Sequence, residues 1–327
     1  MDPLALARQS LIFTCDLGRL GQDDTRLSRA AKRGTLVRLK QGAYLDRELW
    51  APLGNADRHR LLATIAERLS GPGLVFSHHT AAALIGLPVL GRWPDRAHVL
   101  KECAAGGRST TVLLCHTVGL RDVPVTTIGA LTMTSPARTV IDLAKTVPFE
   151  VAVIATDAAL RTDRRTRQFL TTSGDVRELI ERMSPFRGLQ RVLAVLDAST
   201  PLSESVGESL CRIILAELGF ADPELQTEFR DADGLIGFAD FTWRLGTVIL
   251  EFDGKIKYLD ARFRAGLTSD QIVVIEKLRE DRLRALGYVV VRATWDDLVN
   301  PARLLRLLTG AGLLPVRATR IIRRDWL

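Results

Sequence analysis

Cysteine is scarce in this chain of 327 residues, and the four present, Cys15, Cys103, Cys115 and Cys211, show no CxxC spacing. That excludes a zinc site built on cysteine pairs and a disulfide framework, and it fits a reducing cytoplasm. Long apolar runs are missing too: none approaches the roughly 20 residues that a membrane span needs. The opening "MDPLALARQS" carries no apolar stretch of signal-peptide type. The expectation is a cytoplasmic protein without a membrane partner. There is no P-loop, no dinucleotide fingerprint and no Ser-His-Asp wording, which leaves the nucleotide-dependent and serine-hydrolase classes without support. Repeats and low-complexity tracts are also absent. Acidic residues are in the minority, so the net charge is +7, which mildly favours an acidic partner such as nucleic acid.

The length calls for two or three domains. Residues 1–50 read as helix, turn, helix and then a basic hairpin, "TLVRLKQGAYL". This is the order of a winged helix. Residues 55–198 mix helical stretches with short β-rich ones such as "RAHVL" and "TTVLLCHTV". The turn-rich "DASTPLSES" marks the boundary to residues 200–310, which read as α-β-β-β-α-β, and a basic tail occupies 311–327. The predicted fold class is therefore multi-domain α/β, with a winged-helix head, a mixed α/β middle and an α-β-β-β-α-β tail.

The stretch "DFTWRLGTVILEFDG" (Asp240 to Gly254) is predicted to be a hairpin turning at Leu245-Gly246. If Arg244 faces Thr247, then Asp240 faces Glu251. Side chains alternate along a strand. One face then carries Phe241, Trp243, Val248, Leu250 and Phe252, and the other Asp240, Glu251 and Asp253. Directly opposed residues sit roughly 5 Å apart, where like charges repel. Two kinds of compensation are open. One is a bound cation, and Mg²⁺ suits carboxylates and could activate a water beside a phosphate. The other is pairing with nearby cations, for which Lys255, Lys257, Lys277 and Arg279 are candidates.

With these residues in place, the last third of the chain resembles the PD-(D/E)XK nuclease superfamily, in particular its branch near very-short-patch repair endonucleases. The resemblance implies Mg²⁺- or Mn²⁺-dependent hydrolysis of DNA phosphodiester bonds. Asp240 matches the motif aspartate, and Glu251-Phe252-Asp253 stands at the (D/E)-X-K position. Asp253 departs from the motif, because a lysine usually stands there, and Lys255, Lys257 or Lys277 is expected to supply the ammonium from elsewhere. Family members often carry a helix acid at the metal site, and Glu208 is the candidate here. Ser205-x-x-Glu208 is equally a capping box. Gln226 has a parity that could turn it toward the site, although a surface glutamine is the simpler expectation.

The head resembles the winged helix of AbiEi-type antitoxins, on "LSRAAKRGTLVRLKQGAYLD" and its Arg38, Gly42 and Tyr44. "LVFSHHTAAALIGLP" and "MTSPARTVIDLA" resemble the segment that follows the wing. This implies duplex DNA as a partner and admits a protein partner such as a cognate toxin. Arg26, Arg29, Lys32 and Arg33 would line one helix for the major groove, with Arg38 and Lys40 of the wing on phosphates. A solvated basic helix on a protein-binding domain is the alternative. "RTDRRTRQ" (Arg161 to Gln168) is read as a solvated basic helix face. A metal site at His78-His79 is set aside, since adjacent histidines cannot close one without further ligands. Ser77 is expected to cap the helix that follows.

Overall fold

The computed structural model describes residues 2–19, 25–102, 108–117, 122–163, 166–254 and 269–322. Lys255 and Lys257, two of the predicted site residues, lie outside them. The chain divides into two compact units. One comprises Met1–Leu160 with Gln168–Ala198, and the other Arg161–Arg167 with Ser199–Leu327. Together they hold three sheets, so the chain is multi-domain α/β.

The N-terminal unit starts with α1 (Pro3–Gln9), β1 (Ile12–Phe13), α2 (Thr14–Arg19), α3 (Thr25–Arg33), β2 (Leu36–Lys40), β3 (Ala43–Asp46) and α4 (Arg47–Trp50). The strands pair in the order β1-β3-β2. Gly42, at φ +81°, closes the turn between β2 and β3, a backbone that glycine adopts without steric cost. α5 (Asn55–Ser70) follows, and its Leu61 and Ile65 share a core with Phe13 and Leu45.

Next come β4 (Val75–Phe76), α6 (His78–Ile85), β5 (Ala97–Lys101), β6 (Leu113–Thr117), β7 (Val125–Ile128) and β8 (Leu131–Thr134). The five strands order as β6-β5-β4-β8-β7. Phe76, Val99 and Met133 fill the core on this sheet, all with no exposure. Four helices complete the unit: α7 (Pro136–Thr146), α8 (Phe149–Leu160), α9 (Ser173–Met183) and α10 (Leu189–Asp197). Pro136 occupies the first turn of α7, where its missing N–H costs nothing.

The C-terminal unit runs α11 (Val206–Glu217), β9 (Glu224–Asp231), β10 (Gly234–Trp243), β11 (Val248–Phe252), α12 (Ser269–Ala285), β12 (Val289–Ala293), α13 (Trp295–Val299) and α14 (Pro301–Gly310). Its first six elements form the predicted α-β-β-β-α-β order. The sheet is β12-β11-β10-β9, with β12 parallel to β11 and the other pairs antiparallel. β12 is an edge strand, and Val289 is exposed there.

The hairpin has the predicted register: Phe241 pairs with Leu250, Thr242 with Ile249 and Trp243 with Val248, and the Thr247 N–H donates to the Arg244 carbonyl. The second face is not simply acidic. Thr242 and Ile249 are buried on it, and Ile249 packs with Leu283 of α12. On the first face Phe252 meets α11 at Gly207, where an added Cβ would lie 1.9 Å from its ring. The sheet is thus covered on both sides, which is why both faces of β11 are apolar at their centre.

The tail after α14 folds back. The Val316 and Arg317 N–H groups donate to the Gly219 carbonyl, and the Arg320 N–H to that of Glu217. Gly219, at φ +82°, leaves only 2.4 Å between a built Cβ and the Arg317 carbonyl oxygen, so any side chain there would expel the tail. Residues 161–163 and 166–168, read from sequence as part of a basic helix, lie in no helix. Asp163 instead bonds the Thr166 N–H through its side chain and the Arg167 N–H through its carbonyl, a local turn.

Candidate functional site

The predicted acids stand on α11, on β10, and on or just past β11, with Gln226 on the intervening β9. Asp240 lies near the end of β10, past the last hydrogen-bonded pair of the hairpin. Its Oδ2 accepts the Phe252 N–H at 2.9 Å and its Oδ1 accepts from Gln226 Nε2 at 3.1 Å. The side chain therefore takes a backbone donor that would otherwise serve a strand partner. Gln226 also donates to Glu208 Oε2 at 3.3 Å. It is not the surface residue that its place at a strand end suggested. Its φ is +50° within β9, between the pairs Ala239–Thr227 and Phe241–Leu225. A non-glycine residue in the left-handed region costs about 1–3 kcal/mol and persists only where its surroundings enforce it. Here it turns the amide onto two carboxylates.

Glu208 forms half of the capping box read from the sequence. The Ser205 Oγ accepts the Glu208 N–H and donates to Glu208 Oε1. The glutamate does not reach back to the Ser205 N–H but to that of Glu204, at 2.8 Å. It is almost fully buried and joins Asp240 through Gln226. Nearby on α11, burial pushes the Cys211 thiol far above its ordinary range, and the fields of Asp240 and Glu208 add to that.

Glu251 is compensated by α12, which covers its own face of the sheet. Arg279 Nη1 of α12 donates to its Oε1 at 2.6 Å, with the two side chains only 22% and 13% exposed. Burial raises the Glu251 pKa above 4.5; Arg279 opposes the rise and Asp240 adds to it. Internal donors thus answer the predicted repulsion between Asp240 and Glu251: Arg279 for one, and Gln226 with the Phe252 N–H for the other. Lys277 is exposed on α12, two residues from the arginine that makes the contact. Asp253 is half-buried, and its N–H donates to the Ala293 carbonyl, which ends the parallel ladder.

In the N-terminal unit, Arg26, Arg29, Lys32 and Arg33 are all exposed on α3, which buries no residue of its own. Arg38 is exposed on β2. Lys40 departs from the predicted role, because its ammonium donates to the Asp95 and Thr111 carbonyls. Beside β2 runs a cleft of about 480 Å³ whose lining includes Arg38, Lys40, Trp50, Arg58, Arg92 and Trp93. The Arg58 guanidinium sits 4.6 Å above the Trp50 ring.

A second cluster of ionisable groups was not read from the sequence. His78, His98 and His116 each offer a ring nitrogen, and these lie within 4.8 Å of one another. Among the described residues they are the one group of three metal-ligand side chains at that spacing; the acids form none. The two histidines that meet His78 come from β5 and β6, and neither is its neighbour His79. Ser77 precedes α6 without capping it, and its hydroxyl lies 2.9 Å from His78 Nδ1. The signal available in the sequence was that all five histidines fall between positions 59 and 116.

No protein-family model matches the chain. It is 26% identical over 275 residues to two proteins of Mycobacterium tuberculosis, uncharacterized protein MT2308 and uncharacterized protein Rv2248. Each alignment covers 84% of this chain and 91% of the relative.

Proposed function

We propose that the chain is a cytoplasmic DNA-binding protein whose C-terminal unit carries a metal-dependent centre for phosphodiester hydrolysis. The observation that carries this reading is the convergence of Glu208, Gln226, Asp240 and Glu251 from α11, β9, β10 and β11. It is joined by the resemblance of this segment to PD-(D/E)XK nucleases. Mg²⁺ commonly takes one or two protein carboxylates and keeps several waters, so Asp240 and Glu251 suffice as its protein ligands. A bound Mg²⁺ or Mn²⁺ would supply Lewis-acid polarisation of a phosphate and a more acidic water.

The chain's own residues have separable tasks. Gln226 orients Asp240, Glu208 braces Gln226, and Arg279 neutralises Glu251 until a cation takes its place. The exposed cations of α3 would meet duplex phosphates and bases. The cleft beside β2 adds guanidinium and indole groups of the kind that hold nucleic acid. No described helix is long and apolar enough to cross a membrane, and Cys15, Cys115 and Cys211 are free thiols.

A second reading is a transcriptional regulator or antitoxin with a silent nuclease fold. The Arg279–Glu251 pair favours it, as does Asp253 at the place of the motif lysine. A cognate toxin would then be the protein partner.

The test is titration of the purified chain with Mg²⁺ or Mn²⁺ on plasmid, linear duplex, single-stranded and mismatched DNA, beside Asp240→Ala/Glu251→Ala. Metal-dependent cutting that vanishes in the double variant is expected. Retained DNA binding with no cutting on any substrate would select the regulator. Arg29→Glu/Arg33→Glu should weaken duplex binding by about tenfold or more and flatten its salt dependence. Unchanged affinity would remove α3 from the interface.

A further inference from the structure

We propose that His78, His98 and His116 form a binding site for one divalent transition metal ion of the zinc class, with a fourth position open to water. The site lies in the N-terminal unit and does not depend on the nuclease reading.

Each ligand stands on a different regular element. His78 opens α6, His98 is on β5 and His116 on β6, and the two strands run parallel with His98 opposite Leu114 and Leu100 opposite His116. Side chains two apart share a face, so His98 and His116 project to the same side as diagonal neighbours. Their facing nitrogens, Nδ1 of His98 and Nε2 of His116, are 3.2 Å apart. Four-coordinate zinc with Zn–N of 2.0–2.1 Å has ligand nitrogens about 3.3 Å apart, so this pair already spans one edge of the tetrahedron. The His78 ring stacks on that of His116, with centroids 3.7 Å apart.

Three further features suit a metal. His78 has φ +49°, a strained backbone for a non-glycine residue that brings its ring to the other two. Ser77 engages Nδ1 of His78, the outer contact that orients a metal-binding imidazole through its second nitrogen. His78 and His98 are buried while His116 is half-exposed, which leaves an entry path. The donor set is neutral nitrogen only, which suits zinc, copper, nickel or cobalt and not Mg²⁺. Lys145 places a positive charge near His78 and His116. That charge favours hydroxide or an anionic oxygen in the fourth position. His79 adjoins the group, with its ring centroid 5.1 Å from that of His98 and Nδ1 unpartnered among the described residues.

The experiment uses the full chain, stripped with a chelator and dialysed. Calorimetric titration with Zn²⁺ should give one ion per chain, and Mg²⁺ should give no heat at this site. Co²⁺ should develop the visible d–d bands of a four-coordinate ion. His98→Gln and His116→Gln, checked for folding by circular dichroism, should weaken Zn²⁺ by about a hundredfold or more, whereas His79→Gln should retain it. Zn²⁺ binding unchanged in folded His98→Gln and His116→Gln, or lost only in His79→Gln, would overturn the assignment. If the variants do not fold, X-ray absorption of the zinc-loaded native chain decides. Three imidazoles in the first coordination sphere are expected, and fewer than three would overturn the site.

Discussion

The acidic centre of the C-terminal unit and the histidine cluster of the N-terminal unit are built on the same plan and differ in how their charge is managed. Each gathers ionisable side chains from three or more elements. Each contains a non-glycine residue in the left-handed region, Gln226 in one and His78 in the other. The carboxylates keep their interactions by recruiting donors: Arg279 for Glu251, and Gln226 with the Phe252 N–H for Asp240. The imidazoles have no counter-ion of that kind and are held neutral instead. Burial lowers His78 well below 6.5, His98 to about 3, and His116 below 6.5. A buried carboxylate needs a partner to remain charged, whereas a buried imidazole sheds its proton and becomes a ligand. The acidic centre is therefore compensated by opposite charge and amide donors, whereas the histidine cluster is uncharged imidazole, with His98 Nδ1 and His116 Nε2 facing each other at 3.2 Å.

The comparison can be broken most forcefully at Arg279. Arg279→Met leaves Glu251 without its counter-ion and should cost up to about 3 kcal/mol, since removing one member of a buried pair strands the other. Glu251→Leu/Arg279→Met should recover most of that loss. Urea denaturation of the two variants and the parent, resolved by unit through pulse proteolysis, makes the measurement. A single variant as stable as the parent would mean that Glu251 is not held by the arginine. Next in size is Gly207→Ala, whose Cβ would overlap the Phe252 ring. Overpacking of this kind costs about 2 kcal/mol. The loss should appear in the C-terminal unit and leave the N-terminal unit's unfolding midpoint unchanged.

The smallest effect is a slope, at most about 1.4 kcal/mol per pH unit for one group. His59 has a folded pKa of about 4 against an ordinary 6.5. As pH falls below 6.5 the unfolded chain takes up the proton first, so the N-terminal unit loses stability between 6.5 and about 4. The other four histidines act in the same direction, and the buried Asp142, raised from 3.8, acts against them. Glu251 has the opposite sign. Its folded pKa lies above 4.5, so its contribution is fully present below 4.5 and is lost as pH rises through the folded value. Pulse proteolysis in urea at pH 6.5 and pH 5 should therefore show the N-terminal unit weakening on acidification. Glu251→Gln should remove the opposing contribution from the C-terminal unit. Equal slopes for parent and Glu251→Gln in that unit would sink the account of Glu251.

Much of the C-terminal unit was legible residue by residue. The turn at Leu245-Gly246 and the alternation from Phe241 to Phe252 left one register that buries the aromatic side chains, and that register is present. Ser205-x-x-Glu208 announced a helix start. The partners of the acids were not legible. Arg279 lies 28 positions beyond Glu251 and was one of four candidate cations. The amide of Gln226 depends on a backbone conformation that strand parity does not foresee. In the N-terminal unit the basic faces of α3 and the wing were read directly, but Lys40 was assigned to phosphate when two backbone carbonyls hold it.

By itself the sequence determined what short-range rules govern: the place of the hairpin turn, strand alternation, the α-β-β-β-α-β order and the charge of α3. Only the tertiary structure decided which charges are spent and which side chains meet. His78, His98 and His116 have no motif spacing. They meet because β4 pairs with β5 and β5 with β6, and because α6 starts two residues after β4 ends. Strand pairing joins residues far apart in the chain through backbone hydrogen bonds that carry no side-chain code. A convergent site of this kind therefore leaves its trace in the sequence only as composition, five histidines within one stretch.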